Sequence, residues 1–377
     1  MKVYLVPFFA MVTSSMVNAI SILYALDLGA DILQVNLIST VQSTMGILLV
    51  VPFGLLADRL GRKPMLIYPR IIAALGILLR VLASNPTHLV IAAFVGGFAG
   101  ADFYPILVTM VTDLADSAEQ REAISTLYLF SGIGLLVGPL TGSVLLLMPE
   151  ISLRTLYQMQ LVAEIALIVY MARILRETKQ DAVISSTTPH RSPILDLLAQ
   201  RSFQGLLLMG FLFYFNFSIL NTYLPIYGRV TLQLSDPEVS SLALFRNIAI
   251  TVIRLSAATF LTRVSTQWFL LFSLTAGGIA SLGAPVASTY SLVAIVQVIS
   301  GVAHGAVAIL GSQLVAAEAQ PANRGVAQSL NNMTHGLSNI MKLPTASLAE
   351  SYGLMPVFLL GAIASLASTI PILRRKH

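Results

Sequence analysis

Twelve long apolar runs follow one another along the chain, separated by short polar segments. The first six are Tyr4–Leu26, Val35–Ala57, Met65–Ala83, His88–Leu114, Glu122–Leu147 and Arg154–Leu175. The second six are Phe203–Gly228, Val239–Thr262, Trp268–Ala287, Tyr290–Ala317, Val326–Ala349 and Met355–Leu373. Each run approaches or exceeds the roughly 20 apolar residues that a bilayer-spanning helix needs, and none alternates as a membrane β-strand would. The pattern predicts an all-α integral membrane protein with twelve transmembrane helices.

The composition agrees with this prediction. Of 377 residues, 56% are hydrophobic and 10% charged, and the mean hydropathy is +0.82. Soluble domains contain about 25% charged residues, so an ordinary soluble protein is excluded. The chain contains no cysteine, which excludes disulfides, thiolate metal sites and cysteine catalysis.

The placement of basic residues predicts the orientation in the membrane. If the N-terminus is inside, 16 of the 22 Lys and Arg residues lie on the cytoplasmic side. They are Lys2, Arg59, Arg62, Lys63, Arg70, Arg121, Arg173, Arg176, Lys179, Arg191, Arg201, Arg263, Arg324, Arg374, Arg375 and Lys376. Cytoplasmic loops carry an excess of such residues, so both termini are expected in the cytoplasm. The short loops indicate a bacterial inner or plasma membrane.

The chain is expected to divide into an N-terminal six-helix bundle, a cytoplasmic linker and a C-terminal six-helix bundle. Their ranges are 1–176, 177–201 and 202–377, and a short amphipathic helix is expected at Ile194–Leu198 of the linker. A shift of 203 places Arg121 on Arg324, which indicates an internal repeat. Two pseudo-symmetric parallel repeats are typical of transporters, whose substrate site lies between the halves near the middle of the bilayer.

A glycine-rich basic motif ends the second predicted span. It reads Gly54-Leu-Leu-Ala-Asp58-Arg59-Leu-Gly61-Arg62-Lys63 and resembles the GxxxDRxGRK signature of the major facilitator superfamily. The resemblance covers the whole chain and implies twelve helices. It also implies a cytoplasmic ion-pair latch that holds the outward-open state, with Asp113 as a further partner for Arg59 or Arg62. The alternative is a basic anchor that only sets the topology.

A second motif lies in the fifth span, Gly134-Leu-Leu-Val-Gly138-Pro139-Leu-Thr-Gly142-Ser143. It resembles the antiporter motif of the same superfamily, although Ser125 and Ser143 replace glycines of the fuller pattern. Glycines four residues apart let helices approach closely, and Pro139 is expected to kink the span. The alternative is ordinary close packing of small residues. Gly301-Val-Ala-His304-Gly305, with Arg324-Gly325, resembles a further pattern of the family.

Two ionisable residues within the spans are candidates for proton coupling. Asp102 lies near the middle of the fourth span, and His304 near the middle of the tenth. Charged groups inside a membrane cost about 2.5–3.5 kcal/mol at a helix centre, so each marks a functional candidate. A histidine can change its charge near neutral pH. The alternatives are a packing carboxylate and a buried histidine satisfied by hydrogen bonds.

Basic and polar residues within the spans form the candidate substrate site. They are Arg246, Lys342, Arg254, Asn18, Tyr104, Asn216 and Asn221. Arginine offers a planar fork for carboxylate or phosphate, and the carbonyls freed by Pro344 are expected to hold the Lys342 ammonium. Arg254 is equally compatible with a structural ion pair. Glu164 is expected to face lipid or another helix.

The excess of basic groups favours an anionic or zwitterionic organic substrate. The predicted function is a proton-coupled exporter, an antiporter that works by alternating access. A proton-coupled importer or facilitator of an organic anion is the alternative, and a membrane receptor or scaffold is the non-transporter alternative. Nucleotide-binding, HExxH and GxSxG motifs are absent, so direct use of ATP and enzymatic activity are not expected. The expected partners are the substrate, protons and the lipid bilayer, and we expect a monomer without cofactor, metal or nucleic acid.

Overall fold

A computed structural model describes residues 2–18, 20–99, 103–114, 120–178, 193–260, 265–320 and 323–374. All regular secondary structure in these ranges is helical. Ten helical stretches are long and apolar enough to cross a membrane, and the fourth and eleventh spans are each built from two shorter helices. The twelve-span all-α prediction is confirmed.

The first six spans contain eight helices. The first span is α1 (Leu5–Asn18) with α2 (Ser21–Asp27), followed by α3 (Ile32–Leu60), α4 (Arg62–Val81), α5 (Pro86–Gly96) with α6 (Phe103–Leu114), α7 (Gln120–Leu145) and α8 (Leu153–Ile174). Side chains mark several of the starts. Asp31, for example, accepts the Gln34 N–H at 2.6 Å at the beginning of α3, which satisfies a donor that the helix leaves unpaired.

The second six spans follow the short helix α9 (Pro193–Leu198). They are α10 (Arg201–Ile226), α11 (Asp236–Phe260), α12 (Thr266–Gly283), α13 (Tyr290–Glu318), α14 (Arg324–Met341) with α15 (Thr345–Tyr352), and α16 (Leu354–Ala367) with α17 (Ile370–Leu373). The eleventh span breaks immediately before Pro344, which lacks the N–H that a continuous helix would use.

The chain forms two compact units. One contains Met1–Ile184 and Asp236–Ser241, and the other contains Ser185–Ser235 and Leu242–His377. Each unit has its own apolar core, including Leu107, Met110, Leu127 and Met171 in the first, and Phe203, Phe213, Leu274 and Leu310 in the second. Residues 179–192 of the predicted linker lie outside the described ranges. The predicted short helix at the end of the linker is present as α9.

The glycines of the fifth span bring α7 against α1. A Cβ at Gly138 would overlap the Ser15 Oγ and lie 2.6 Å from the Val12 carbonyl oxygen. A Cβ at Gly142 would lie 2.8 Å from the Met16 carbonyl oxygen. The predicted backbone contact is therefore confirmed, and α7 continues as one helix through Pro139.

A buried ion pair joins α4 to α8. The Arg70 Nη1 lies 2.9 Å from the Glu164 Oε1, and the two side chains are 10% and 3% exposed. Arg70, which the sequence places among the cytoplasmic basic residues, therefore has its side chain inside the helix bundle. Of the two expectations for Glu164, the structure supports the contact with another helix.

Candidate functional site

Two glycines of α13 position the candidate site of the second unit. A Cβ at Gly301 would overlap the Arg246 carbonyl oxygen of α11, and one at Gly305 would lie 3.1 Å from the Ile250 carbonyl oxygen. This contact between the backbones places His304 of α13 close to the level of Arg246 on α11. The glycines that flank the histidine in the sequence therefore have a structural purpose.

Phe217 of α10 contacts both of these basic side chains. The His304 ring stacks on the Phe217 ring with centroids 4.0 Å apart and planes at 16°. The Arg246 Cζ lies over the same ring, 5.7 Å from its centroid, which is a cation–π arrangement. Arg246 is only 7% exposed. Its Nε and the His304 Nδ1 are buried and have no hydrogen-bond partner among the described residues.

A row of side-chain contacts joins α10 to the eleventh span. The first is an edge contact between the rings of Tyr214 and His335, whose centroids lie 4.8 Å apart. Three hydrogen bonds follow, each between residues 120 to 122 positions apart in the sequence. They join Ser218 to Asn339 at 2.5 Å, Lys342 to Thr222 at 2.5 Å, and Tyr223 to Thr345 at 2.8 Å. The constant separation shows that the two spans run parallel and in register.

Lys342 lies at the break between α14 and α15. Its side chain is 1% exposed, and its Nζ donates to the Thr222 hydroxyl. The expectation that carbonyls freed by Pro344 hold this ammonium is wrong as to the partner, because the bond reaches across to α10. The Lys342 carbonyl instead accepts the Thr345 hydroxyl at 2.6 Å.

The structure places two other candidates away from this cluster and a third, Arg254, at its exposed edge. The Asn216 amide donates to the Gly277 carbonyl at 3.0 Å and accepts the Ser281 hydroxyl at 2.5 Å, so it joins α10 to α12. Asn18 ends α1 in the other unit with an exposed side chain. Arg254 lies on α11 with Arg246; its side chain is exposed, and it is close enough to Tyr214 and His304 to interact electrostatically with both.

Asn221 lies on the face of α10 that carries the cluster. At about 100° per residue it is directed about 40° from Phe217 and about 20° from Tyr214. Asn216 is directed about 160° from Tyr214, which explains why only one of the two predicted asparagines shares a face with the cluster. The Asn221 side chain is partly buried.

His335 is a member of the cluster that the sequence analysis did not identify. It contacts Tyr214 and lies 6.5 Å from the Phe217 ring centroid. His335, Asn339 and Lys342 are spaced by four and three residues, so they form one polar stripe along a helix. That stripe is the signal that could have indicated His335.

Some predicted residues cannot be placed in a site. Asp102 lies outside the described residues, as do the side chains of Tyr104, Asp58 and Asp113. The proton-coupling assignment of Asp102 and the acidic half of the predicted latch therefore remain predictions. Among the described residues, no group of three or more His, Asp or Glu side chains could hold a metal ion.

The basic end of the predicted latch contacts Glu177, which the sequence analysis did not single out. Gly61 joins α3 to α4 with φ +100°. Just beyond it, the backbone N–H groups of Arg62 and Lys63 donate to the Glu177 carboxylate at 2.9 and 3.2 Å. The Lys63 ammonium donates to the Ala172 carbonyl at 2.8 Å. Because Glu177 follows α8 directly, the motif is anchored to the end of the sixth span.

The comparisons agree with this architecture. The model of the Major Facilitator Superfamily matches residues 3–341 and, in a second match, 206–376. An uncharacterized MFS-type transporter, YdgK of Bacillus subtilis, is 28% identical over 54% of this chain and 52% of its own length. The class H tetracycline resistance protein of Pasteurella multocida is 26% identical over 39% of this chain and 36% of its own length. The chain thus matches about half the length of these relatives or less.

A solved structure is similar over the entire fold. The nucleoside transporter NupG superposes with a TM-score of 0.82, and the alignment covers 100% of this chain and 99% of NupG. The two sequences are 18% identical. The likeness therefore concerns the twelve-helix fold.

Proposed function

The chain belongs to the Major Facilitator Superfamily, and on that premise we propose that this transporter exports a small organic anion in exchange for protons. It is a multi-pass membrane protein, and we place it in a bacterial inner membrane with both termini in the cytoplasm. The chain acts by alternating access and catalyses no reaction.

The proposal of an anionic substrate rests on one observation. Arg246 and Lys342 are 7% and 1% exposed and both contact α10. Residues 201–235, 239–317 and 319–349 contain no Asp or Glu, so these stretches provide no carboxylate to compensate the two cations, and the acidic residues of this half lie towards the ends of its helices. Buried cations without a counter-charge are costly, and an anionic substrate would supply that charge.

Export is supported by the fifth span and by a relative. The Gly134–Gly142 motif makes the close α1–α7 contact that its resemblance to the antiporter motif implies. The relative from Pasteurella multocida is described as a tetracycline resistance protein. The sequence contains no nucleotide-binding motif, so transport driven directly by ATP is not supported.

Proton coupling is assigned to Asp102, with His304 as a second participant. Asp102 would take up a proton from outside and release it to the cytoplasm, which shifts the populations of the two access states. His304 adjoins Arg246 through Phe217. A change in the charge of His304 would therefore change the electrostatic potential at the anion site.

Purified protein in proteoliposomes with an internal pH dye tests this function. Organic anions, zwitterions and cations are added singly, and Asp102→Asn is compared with Asp196→Asn on exposed α9 as a matched control. We expect an anion to cause proton flux that Asp102→Asn abolishes and Asp196→Asn retains. Anion movement without proton flux, unchanged in Asp102→Asn, would instead identify a facilitator. Flux driven only by cations would exclude the anion site.

A further inference from the structure

We propose that the substrate carries two acidic groups, one bound by Arg246 and the other by Lys342. The proposal rests on the proposed function, since it specifies which anions that site accepts. It follows from the number of buried cations, from their placement around α10 and from the donors that each one offers.

The site contains more buried cations than one acidic group can neutralise. The described groups at this site include two buried cationic side chains, Arg246 and Lys342, and two histidines, His304 and His335. A third cation, Arg254, interacts with Tyr214 and His304, but its side chain is exposed and solvated. Neutral or protonated, the histidines add no negative charge. A substrate with one acidic group would therefore leave one buried cation without a counter-charge, and an uncompensated buried charge is strongly unfavourable.

The two cations approach α10 at different positions along and around its axis. Arg246 approaches α10 at Phe217, and Lys342 approaches it at Thr222. The five residue steps from Phe217 to Thr222 correspond to about 7.5 Å along the helix axis and about 140° around it. Asn221 is directed between the two, about 40° from Phe217 and about 100° from Thr222. The cations therefore flank Asn221 from two sides and at two levels.

Each cation has hydrogen-bond donors that can bind a substrate. The Arg246 guanidinium lies over the Phe217 ring, which leaves the N–H groups in its plane available for a planar acid group. The side chain is more than nine-tenths buried, and its Nε has no hydrogen-bond partner among the described residues. An ammonium has three donors, and the Lys342 Nζ uses one of them on Thr222. Both groups can therefore bind a further acceptor.

Two separated acid groups fit this arrangement better than one. A single carboxylate at Arg246 would be displaced from Lys342 both along and around α10. A molecule with two acids can reach both cations, with the Asn221 amide facing its middle part. The substrate class is therefore an organic dianion, such as a dicarboxylate or a carboxylate that also bears a phosphate.

Matched pairs of diacids and their monomethyl esters test this inference. The probes are aliphatic dicarboxylates of increasing length and the benzene dicarboxylates, each beside its monoester, so that only one charge differs within a pair. Affinities are measured from the thermal stabilisation of purified protein, because a ligand that binds only the folded state raises its stability. Proton flux is recorded on the same pairs in proteoliposomes. Wild type is compared with Lys342→Met, Arg246→Lys and the control Arg201→Gln, at an exposed position at the start of α10.

We expect at least one diacid to bind wild type about tenfold or more tightly than its monoester, because the monoester leaves one buried cation unpaired. Lys342→Met should reduce that ratio to near one. Arg246→Lys, which keeps the charge but loses the fork, should weaken binding of diacid and monoester alike. Arg201→Gln should retain the wild-type ratio. If a variant folds poorly, a ligand that binds it will raise its melting temperature in the same measurements.

Two results would overturn the inference. One is a monoester that binds wild type as tightly as its diacid in every pair, and the other is the failure of every diacid to stabilise the protein. If monoesters still drive proton flux in these cases, the proposed anion exporter stands and only the dianion is wrong. If cations alone drive flux, the proposed function fails as well.

Discussion

At the scale of single residues, the ion pair between Arg70 and Glu164 has the clearest energetic consequence. The pair is almost fully buried, so removal of one partner leaves a charge in an apolar environment. We expect Glu164→Gln to lower the stability of the protein by about 3–5 kcal/mol, and the double variant Arg70→Met with Glu164→Leu to recover most of that loss. Thermal unfolding in detergent measures both. A Glu164→Gln protein as stable as wild type would show that the pair contributes little.

The same pair shows what residue-level reasoning can and cannot predict. The sequence predicts that Glu164 faces lipid or another helix, since the sixth span is usually peripheral in the family that the chain resembles, and its contact with Arg70 agrees with the second of these. The distribution of basic residues predicts a cytoplasmic position for Arg70. It lies eight residues inside α4, about 12 Å along the axis, and only the contact with α8 reveals its role.

At the scale of helices, the α1–α7 contact requires the absence of side chains at the α7 glycines, among them Gly138. Because the Val12 carbonyl would lie 2.6 Å from a Cβ at Gly138, a backbone would have to move to accommodate alanine. We expect Gly138→Ala to destabilise the protein by about 1–3 kcal/mol and to reduce transport. Gly132→Ala on the same helix is the control, since a Cβ there meets no atom within 4 Å. Equal melting temperatures for the two variants would refute the close contact.

The turn between α3 and α4 allows a second test at this scale. Gly61 combines φ +100° with a carboxylate oxygen of Glu177 that lies 2.5 Å from the position of a Cβ. Gly29 has φ +84° and open space around it. Gly29→Ala should incur only the cost of the backbone conformation, about 1–3 kcal/mol, and Gly61→Ala a larger loss. Glu177→Gln should preserve one acceptor for Arg62 or Lys63 and be milder than Glu177→Ala in the same melting measurements.

The arrangement of helices explains why part of the candidate site escaped prediction. Hydropathy predicted the spans closely, as for the run Tyr290–Ala317 and the helix Tyr290–Glu318. The rotation of each helix about its axis was not predictable, because it depends on which neighbour each face contacts. Asn216 and Asn221 therefore appeared equivalent in the sequence, yet the first joins α12 and the second shares a face with Tyr214.

At the scale of the whole molecule, the absence of cysteine makes the proposed orientation directly testable. A thiol introduced at any exposed position has no background signal. Glu150 lies between α7 and α8, and Arg176 follows α8, so the two positions are at opposite ends of that span. Both side chains are exposed.

If the basic loops are cytoplasmic, Glu150→Cys should react with a membrane-impermeant maleimide in intact cells. Arg176→Cys should react only after permeabilisation, because the bilayer excludes the charged reagent. Labelling is read by mass shift on a gel, and the cysteine-free parent should remain unlabelled under both conditions. The reverse pattern would place the termini outside. It would also reverse the direction assigned to the substrate, because the Gly54–Lys63 motif and its Glu177 contact would then face the exterior.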